Sequence, residues 1–212
     1  PGEAEGGIFS KEKLHQVELA TSSFGQGQTV TMIQLASAFS AVINGGNYYQ
    51  PHVVKEINSE SGAVVSSNDN TLVKRVVSED ASKLIRKYLE KTVEDDEGTA
   101  SPARVKGYVI GGKTGTAEKW PRNEGKYLVS FAGFTPTDKP ELMIYVVIDE
   151  PHVSDQAHST YATEFASEVL KDVLPMLGIY KQTGKSDSAK KITLPSTKKG
   201  NQLLEVPKGG FS

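Results

Sequence analysis

Apolar residues recur with helical spacing in three stretches of the chain. The first covers residues 31–44, where Thr31 and Gln34 have the spacing of a capping box and Gly45 with Gly46 ends the pattern. The second follows Ser78 as a helix cap and covers residues 79–95. The third lies near residues 160–179, and Pro175 is predicted to break or kink it. On these three helices the apolar positions are Met32, Leu35, Ala36, Phe39, Val42 and Ile43; Ala81, Leu84, Ile85, Tyr88 and Leu89; and Ala162, Phe165, Ala166, Val169, Leu170 and Val173.

β-type runs lie between the predicted helices, one group after the first helix and another after the second. Residues 51–65 are predicted to form a β-hairpin, and three further runs begin at "VKGYVI", "YLVSFAGFTP" and "ELMIYVVIDE". Short connections make these three runs neighbours in an antiparallel sheet. Because the last two are apolar on both faces, we expect them to be covered on both sides. The predicted fold class is therefore α+β, an antiparallel sheet covered by helices.

The composition mainly excludes certain kinds of chemistry and of binding partner. The 212 residues contain no cysteine, which excludes thiol catalysis, disulfides and cysteine-ligated metals. A net charge of −2 argues against a nucleic-acid surface, and no run is apolar and long enough to span a bilayer. Residues 181–212 carry seven lysines against two acids in a polar sequence. We therefore predict a globular region over residues 1–180 and a basic linker or tail over residues 181–212.

The stretch "GGKTGTAEK" holds the most specific candidate chemistry. With "VKGYVI" as a strand, Lys113, Thr114 and Thr116 stand at its far end, and the two hydroxyls point the same way. Two hydroxyls beside a lysine suit a carboxylate, and Gly115 allows another backbone to approach closely. If this strand is a sheet edge, it can pair with an extended peptide that ends in a free carboxylate. A strand that simply runs into a turn is the alternative.

Several separated blocks resemble one family in their order along the chain. They are "ATSSFGQGQTVTMIQLASAFSAVINGG", "VVKEI", "EGTA", "GGKTGTAEK", "SFAGFTP" and "YVVIDEP", and they resemble class B penicillin-binding proteins of the division and sporulation type over roughly residues 1–180. The resemblance implies the C-terminal part of the penicillin-binding transpeptidase (serine β-lactamase-like) fold. It implies a D,D-transpeptidase that cross-links stem peptides through a serine acyl-enzyme and is inhibited by β-lactams. Lys113 would belong to the active-site electrostatic network, Thr114 and Thr116 would hold the terminal carboxylate, and the Thr116 N–H would be an oxyanion donor.

The nucleophilic serine is expected to lie outside this chain. In the family, the S-x-x-K and S-x-N motifs precede the position of "PGEAEG", so the chain alone is predicted to be inactive until joined to the N-terminal half of the domain. Local imitations of these motifs are rejected on order and context: Ser10 with Lys13, Ser188 with Lys191, and Ser66, Ser67 and Asn68. The resemblance further implies D-Ala-D-Ala stem peptides, β-lactams, and glycosyltransferase or division-complex proteins as partners. It implies no cofactor, and a location on the extracytoplasmic face of the plasma membrane.

Weaker candidates and rival functions remain beside this interpretation. Asp149, Glu150, His152, Asp155 and His158 lie close in sequence, but their spacing suits no familiar zinc site, and we interpret the segment as a solvated loop. Nothing orients a serine–histidine set there either. Residues 24–27 are predicted to form a structural turn near the cleft. Glu118 and Trp120 follow the motif strand and are candidates for lining its exit, with a plain exposed turn as the alternative. The rival functions are a β-lactamase or D,D-carboxypeptidase relative, and a non-catalytic scaffold of the division or sporulation machinery.

Overall fold

The computed structural model describes residues 4–68 and 70–181. The basic tail predicted for residues 181–212 lies outside the described residues apart from Lys181. The α-helices are α1 (Gln16–Ser22), α2 (Met32–Ile43), α3 (Glu79–Glu94) and α4 (Thr160–Met176). The strands are β1 (Asn47–Tyr49), β2 (Glu56–Asn58), β3 (Val64–Ser67), β4 (Leu72–Arg75), β5 (Gly111–Glu118), β6 (Tyr127–Thr135) and β7 (Leu142–Asp149). Single 3-10 turns occupy Lys11–Lys13 and Ser101–Ala103.

A three-stranded antiparallel sheet in the order β5-β6-β7 carries the main core, as predicted. One face of the sheet packs against α4, whose Ala166, Leu170 and Leu174 are buried with Phe131 of β6 and Val146 of β7. Ala162 is also buried as predicted, whereas Phe165 is exposed. Pro175 lies in the last turn of α4, and the helix ends one residue later.

The opposite face of the sheet is covered by α2 and α3 near the start of β5. Phe134 of β6 packs edge-on against Phe39 of α2, with ring centroids 6.1 Å apart. Ile43 of α2 and Leu89 of α3 complete this second core. The expected cover on both faces is therefore present at this end of the sheet, while most of β7 stays half-buried.

Helix α2 begins as the sequence predicts. The Thr31 side chain accepts the Gln34 N–H, and the Gln34 side chain accepts the Thr31 N–H, which satisfies two backbone donors that the helix start leaves free. Ser78 likewise caps α3 by accepting the Ala81 N–H.

The apolar side of α3 faces a different way from what apolar spacing suggests. Only Leu89 of the predicted set is buried, and Leu84, Ile85 and Tyr88 are exposed. Polar side chains contact α2 instead: Ser82 accepts the Gly45 N–H, and Arg86 donates to the Ile43 carbonyl. These bonds satisfy backbone groups at the C-terminal end of α2, and together with the burial of Leu89 and Val93 they set which side of α3 faces inward.

The strand predicted at "VKGYVI" is wrong. Residues 105–110 form a turn in which Tyr108 N–H bonds to the Val105 carbonyl and Gly107 has a φ of 92°. The side chains of Val105, Tyr108 and Ile110 are buried in the core, but the segment does not have the alternation of a strand. Strand β5 starts only at Gly111, and Lys113–Thr116 therefore lie in its middle and not at its far end.

Two small antiparallel sheets connect α2 with α3. The predicted hairpin exists as β2 and β3, although its strands are shorter than expected. Both strands of the hairpin are exposed. A second pair of strands, β1 with β4, is also present, and the sequence pattern did not indicate it. In the described part of the chain, no helix combines the length and apolar character needed to cross a bilayer.

Replacement of Gly46 by alanine is expected to destabilise the junction between α2 and β1. Gly46 has a φ of 92°, and a Cβ there would lie 1.9 Å from the Val77 carbonyl oxygen. Strain plus the clash should lower the free energy of unfolding by about 3 kcal/mol or more. Gly25→Ala is the matched control, because Gly25 has a φ of 83° but open space around its Cβ position. Equal losses for the two variants in urea unfolding would contradict the clash.

Candidate functional site

The residues Lys113–Thr116 lie on an exposed edge of the sheet. Strand β5 pairs with β6 on one side and, among the described residues, with no strand on the other. Lys113 and Thr116 are exposed, and Thr114 and Gly115 are half-buried. The stretch is thus accessible along its free edge, as a site for an added strand requires.

The four residues divide between the two faces of the sheet. Thr114 pairs with Phe131, and Thr116 pairs with Val129, so both hydroxyls are on the face that α4 covers further along. Lys113 pairs with Ala132, and Gly115 with Ser130, which places them on the opposite face. The two hydroxyls share a face, as predicted. The Lys113 side chain starts on the other face and can approach the hydroxyls only around the free edge of the strand.

Gly115 faces a neighbouring side chain, and its role in the approach of another backbone stays a prediction. A Cβ at this position would lie 2.5 Å from the Ser130 hydroxyl oxygen. Ser130 in turn hydrogen-bonds Tyr145 of β7, and burial raises the pKa of that tyrosine. A serine and a tyrosine therefore lie beside Gly115 on this face of the sheet.

The peptide groups of Thr114 and Thr116 point outward from the sheet. The Gly112 carbonyl accepts a hydrogen bond from Thr92 of α3, and the Thr114 carbonyl accepts one from Lys113 Nζ at 2.6 Å, so neither is directed at β6. In an antiparallel ladder, alternate residues direct both N–H and C=O to the same side. The N–H of Thr116 consequently faces the free edge too.

A cluster of charged side chains lies just after the C-terminal end of β5. Lys119 Nζ lies 2.9 Å from Asp149 Oδ1 and 2.6 Å from Glu150 Oε1, and these partners raise its pKa. Glu118 accepts the Asn123 N–H at 2.6 Å, and Trp120 in the same loop is 85% exposed. The loop is therefore tied at its base and presents an uncovered indole ring.

The other sequence candidates lie apart from this edge. Ser10 is an exposed residue before a 3-10 turn, and Ser66 and Ser67 belong to β3, in a separate sheet where Asn68 bonds the Val54 carbonyl. Ser188 and Lys191 lie outside the described residues. That none of these serines is a nucleophile stays a prediction.

A hydrogen bond joins two of the candidate residues in the loop after β7. His158 Nε2 lies 2.8 Å from Asp155 Oδ2 at the surface, and Asp155 also accepts the Ala157 N–H. The Ala157 bond and then His158 lower the pKa of Asp155. Across residues 4–68 and 70–181, no three histidine or acidic side chains are arranged to hold a metal ion.

Two further features bear on the cleft. Residues 24–27 form the predicted turn, in which the Gln26 N–H bonds to the Thr21 carbonyl; its place near a cleft stays a prediction. A cavity of about 450 Å³ lies along α2 and is lined by Ser37, Asn44, Gln50 and His52, among others, but by no residue of β5.

Sequence reasoning missed two residues of α3 that contact the start of β5. Thr92 bonds the Gly112 carbonyl, and Glu94 Oε1 accepts the Ile110 N–H at 3.0 Å. Neither belongs to a motif or to the apolar pattern. The only sequence signal was their position in the last turn of a helix that precedes the strand.

Desolvation raises the pKa of Glu94 above its ordinary value of 4.5, although the Ile110 N–H and Arg104 act in the opposite direction. Because the folded state holds this proton more tightly, the free energy of unfolding should fall as pH rises from about 4.5 through the raised pKa. Glu94→Gln keeps an acceptor for Ile110 and should remove this fall. Urea unfolding between pH 4 and 7 measures the effect, with Glu97→Gln as the control. A difference between wild type and Glu94→Gln that does not change with pH would contradict it.

Comparison with known proteins identifies the relatives of this chain. Residues 1–171 match the model of the penicillin binding protein transpeptidase domain. The chain is 42% identical to stage V sporulation protein D of Bacillus subtilis, over 97% of the chain and 31% of that protein. It is 30% identical to the probable peptidoglycan D,D-transpeptidase PenA of Neisseria meningitidis, over 82% of the chain and 28% of that protein.

Solved structures agree with this assignment. Penicillin-binding protein 3 of Mycobacterium tuberculosis in complex with ampicillin superposes with a TM-score of 0.77 at 25% identity, over 88% of this chain and 43% of that one. The transpeptidase domain of Burkholderia pseudomallei penicillin-binding protein 3 gives a TM-score of 0.73 at 28% identity, over 87% and 54%. The chain thus spans about a third of its sequence relatives and about half of these structures. With its α+β fold and its exposed Lys-Thr-Gly-Thr edge, the chain belongs to the penicillin-binding protein transpeptidase family.

Proposed function

We propose that this chain forms the Lys-Thr-Gly-Thr wall of a peptidoglycan D,D-transpeptidase that works through a serine acyl-enzyme. The observation that carries the proposal is the free edge of β5, where Thr114 and Thr116 direct their peptide groups outward and Lys113 places its ammonium group beside them. An extended peptide pairs with such an edge through main-chain hydrogen bonds. A free C-terminal carboxylate would accept hydrogen bonds from the two hydroxyls in the field of the lysine.

The reaction needs a serine and a base that polypeptide outside this chain supplies. The serine oxygen bonds to the carbonyl carbon of the penultimate D-alanine while the base takes the hydroxyl proton. The resulting oxyanion accepts the Thr116 N–H, which is in place before charge develops. The C–N bond then breaks, terminal D-alanine leaves with a proton, and an acceptor amine later displaces the serine and loses a proton in turn. A β-lactam forms the same acyl bond but has no separate leaving group to release.

Partners and location follow from this role. The N-terminal half of the same domain completes the cleft, and exposed Met32 and Ile33 of α2 supply apolar surface for its docking. The donor is a stem peptide ending in D-Ala-D-Ala, which places the protein on the extracytoplasmic face of the bacterial plasma membrane beside glycosyltransferase or division proteins. The names of the relatives support transpeptidation, sporulation and, for the ampicillin complex, β-lactam binding.

A chimeric protein tests the proposal directly. Residues 4–181 replace the matching segment of stage V sporulation protein D, so that the relative contributes the S-x-x-K and S-x-N half. We expect covalent labelling by a fluorescent penicillin, and cross-linking of stem peptides with release of D-alanine. Rapid turnover of penicillin would indicate the β-lactamase alternative, and release of D-alanine without cross-linking the carboxypeptidase alternative. No labelling would favour a scaffold.

The 212-residue chain by itself is the matched control for the labelling experiment. We expect no covalent adduct, because a serine hydroxyl needs an adjacent base to react, and the proposed nucleophile and base belong to another segment. An adduct on the isolated chain, located by peptide mass mapping, would contradict the assignment of the nucleophile to another segment.

A further inference from the structure

Helix α3 fixes the start of the strand that carries the motif. The Thr92 hydroxyl contacts the Gly112 carbonyl and also bonds the Leu89 carbonyl of its own helix at 2.8 Å. Glu94 accepts the Ile110 N–H at 3.0 Å, two residues before Gly112 in the chain. The last turns of α3 therefore bond to the chain on both sides of Gly111.

Close packing leaves this start of the strand little freedom. A Cβ on Gly111 would lie 2.6 Å from the Phe134 ring, and one on Gly112 would lie 2.5 Å from the Phe131 ring. Gly111 is thus held between Phe134 and α3, and Gly112 packs against Phe131 on the other face of the sheet. In a close-packed interior, a shift of the helix is transmitted to the strand because no void absorbs it.

Beyond Gly112, the free edge depends on the strand itself. Lys113 bonds back to the Thr114 carbonyl, and the next side-chain bond from the strand to another segment is that of Glu118 with Asn123. The directions of the Thr114 and Thr116 peptide groups are consequently set by the ladder to β6 and by the bonds at Gly112.

We infer that Thr92 is a positioning residue for transpeptidation. Its hydroxyl hydrogen-bonds the Gly112 carbonyl. Through the strand, this contact orients the N–H of Thr116, which lies four residues further along the same edge. The inference rests on the proposed function, because it assigns Thr92 a role in the site that the motif forms. Displacements well below a bond length matter here, since misplacement of reacting groups by 1 Å can cost about 100-fold in rate.

The test uses the chimera described above with three substitutions. Thr92→Val removes the hydroxyl at nearly constant volume, and Thr92→Ser restores it. Thr163→Val is the matched control: Thr163 is a fully buried helical threonine whose hydroxyl bonds the Thr160 carbonyl within α4. Stopped-flow acylation separates the dissociation constant of the β-lactam from the acylation rate constant, and amide hydrogen exchange follows residues 112–118.

We expect Thr92→Val to lower the acylation rate constant about tenfold, with the dissociation constant changed less than about twofold. Exchange at Lys113 and Gly115, whose N–H groups face β6, should accelerate in parallel. Thr92→Ser should restore both quantities to within about twofold, and Thr163→Val should leave both unchanged even where it lowers the melting temperature. A Thr92→Val protein that acylates at the wild-type rate, or a Thr163→Val protein that is equally slow, overturns the inference.

The proposed function and the positioning role of Thr92 would be overturned by different results. If the unmodified chimera does not label at all, the proposed function fails, and hydrogen exchange in the Thr92 variants still decides whether Thr92 orders the edge. If the chimera labels normally and the Thr92 variants match it in both measurements, the function stands and the positioning role is overturned.

Discussion

Thr116→Pro in the chimera is expected to lower the acylation rate constant by about 100- to 1,000-fold, the usual cost of removing one oxyanion donor. Proline has no N–H, and the N–H of Thr116 faces the free edge rather than β6. Proline is tolerated on edge strands at such outward positions because no ladder hydrogen bond is lost. Gly115, the preceding residue, also accepts the extended backbone that a following proline imposes. The chemistry should therefore be lost while the sheet remains.

Thr116→Val separates the backbone from the side chain. This variant keeps the N–H and loses only the hydroxyl, so it should weaken binding of the ligand by about threefold to tenfold and leave the acylation rate constant nearly unchanged. Stopped-flow acylation of both variants, with thermal unfolding to check the fold, gives the comparison. Equal rate constants for Thr116→Pro and Thr116→Val would show that this N–H does not stabilise the oxyanion.

Local signals allowed much of the fold to be predicted. The Thr31–Gln34 capping box and the glycines at 45 and 46 place both ends of α2 correctly, because these signals act through bonds within a few residues. The antiparallel order β5-β6-β7 follows from connections too short for any crossover. Ala166 and Leu170 of α4 are buried as their spacing indicates.

The predictions that were wrong share a physical cause: contacts with other segments decide which side chains of a segment are buried. Val105, Tyr108 and Ile110 resemble a strand in sequence but form a turn whose apolar side chains enter the core. In α3, Ser82 and Arg86 face inward because α2 presents backbone groups that need hydrogen-bond partners. Neither fact is encoded in the periodicity of its own segment.

The candidate site was predictable in its position but not in its orientation. The motif and the alternation of a strand suffice to place Thr114 and Thr116 on one face. Which way their peptide groups point depends on the register with β6, and the occupied carbonyl of Gly112 depends on a helix 20 residues earlier. Lys113 lies on the opposite face from the hydroxyls, so its contribution to carboxylate binding has to be tested separately.

Lys113→Met should lower the second-order rate constant of acylation about 10- to 100-fold for a penicillin with a free carboxylate, because a charge-assisted hydrogen bond is lost. For the methyl ester of the same penicillin, the loss should be only a fewfold, since the ester has no negative charge to attract. The difference between the two losses is a coupling between the ammonium group and the carboxylate, measured as in a double-mutant cycle. Reaction of each ligand with hydroxide corrects for their intrinsic reactivity.

Lys113→Arg is the control that keeps the positive charge but changes the geometry of the contact. Arginine keeps the positive field but cannot repeat the compact contact of Nζ with the Thr114 carbonyl, so it should recover part of the carboxylate-dependent rate and not all of it. The coupling should also weaken as salt is added, because Lys113 is exposed and its field is screened. An equal loss for acid and ester in Lys113→Met would mean that the lysine acts on the nucleophile side of the cleft. The carboxylate would then be held by Thr114 and Thr116 alone.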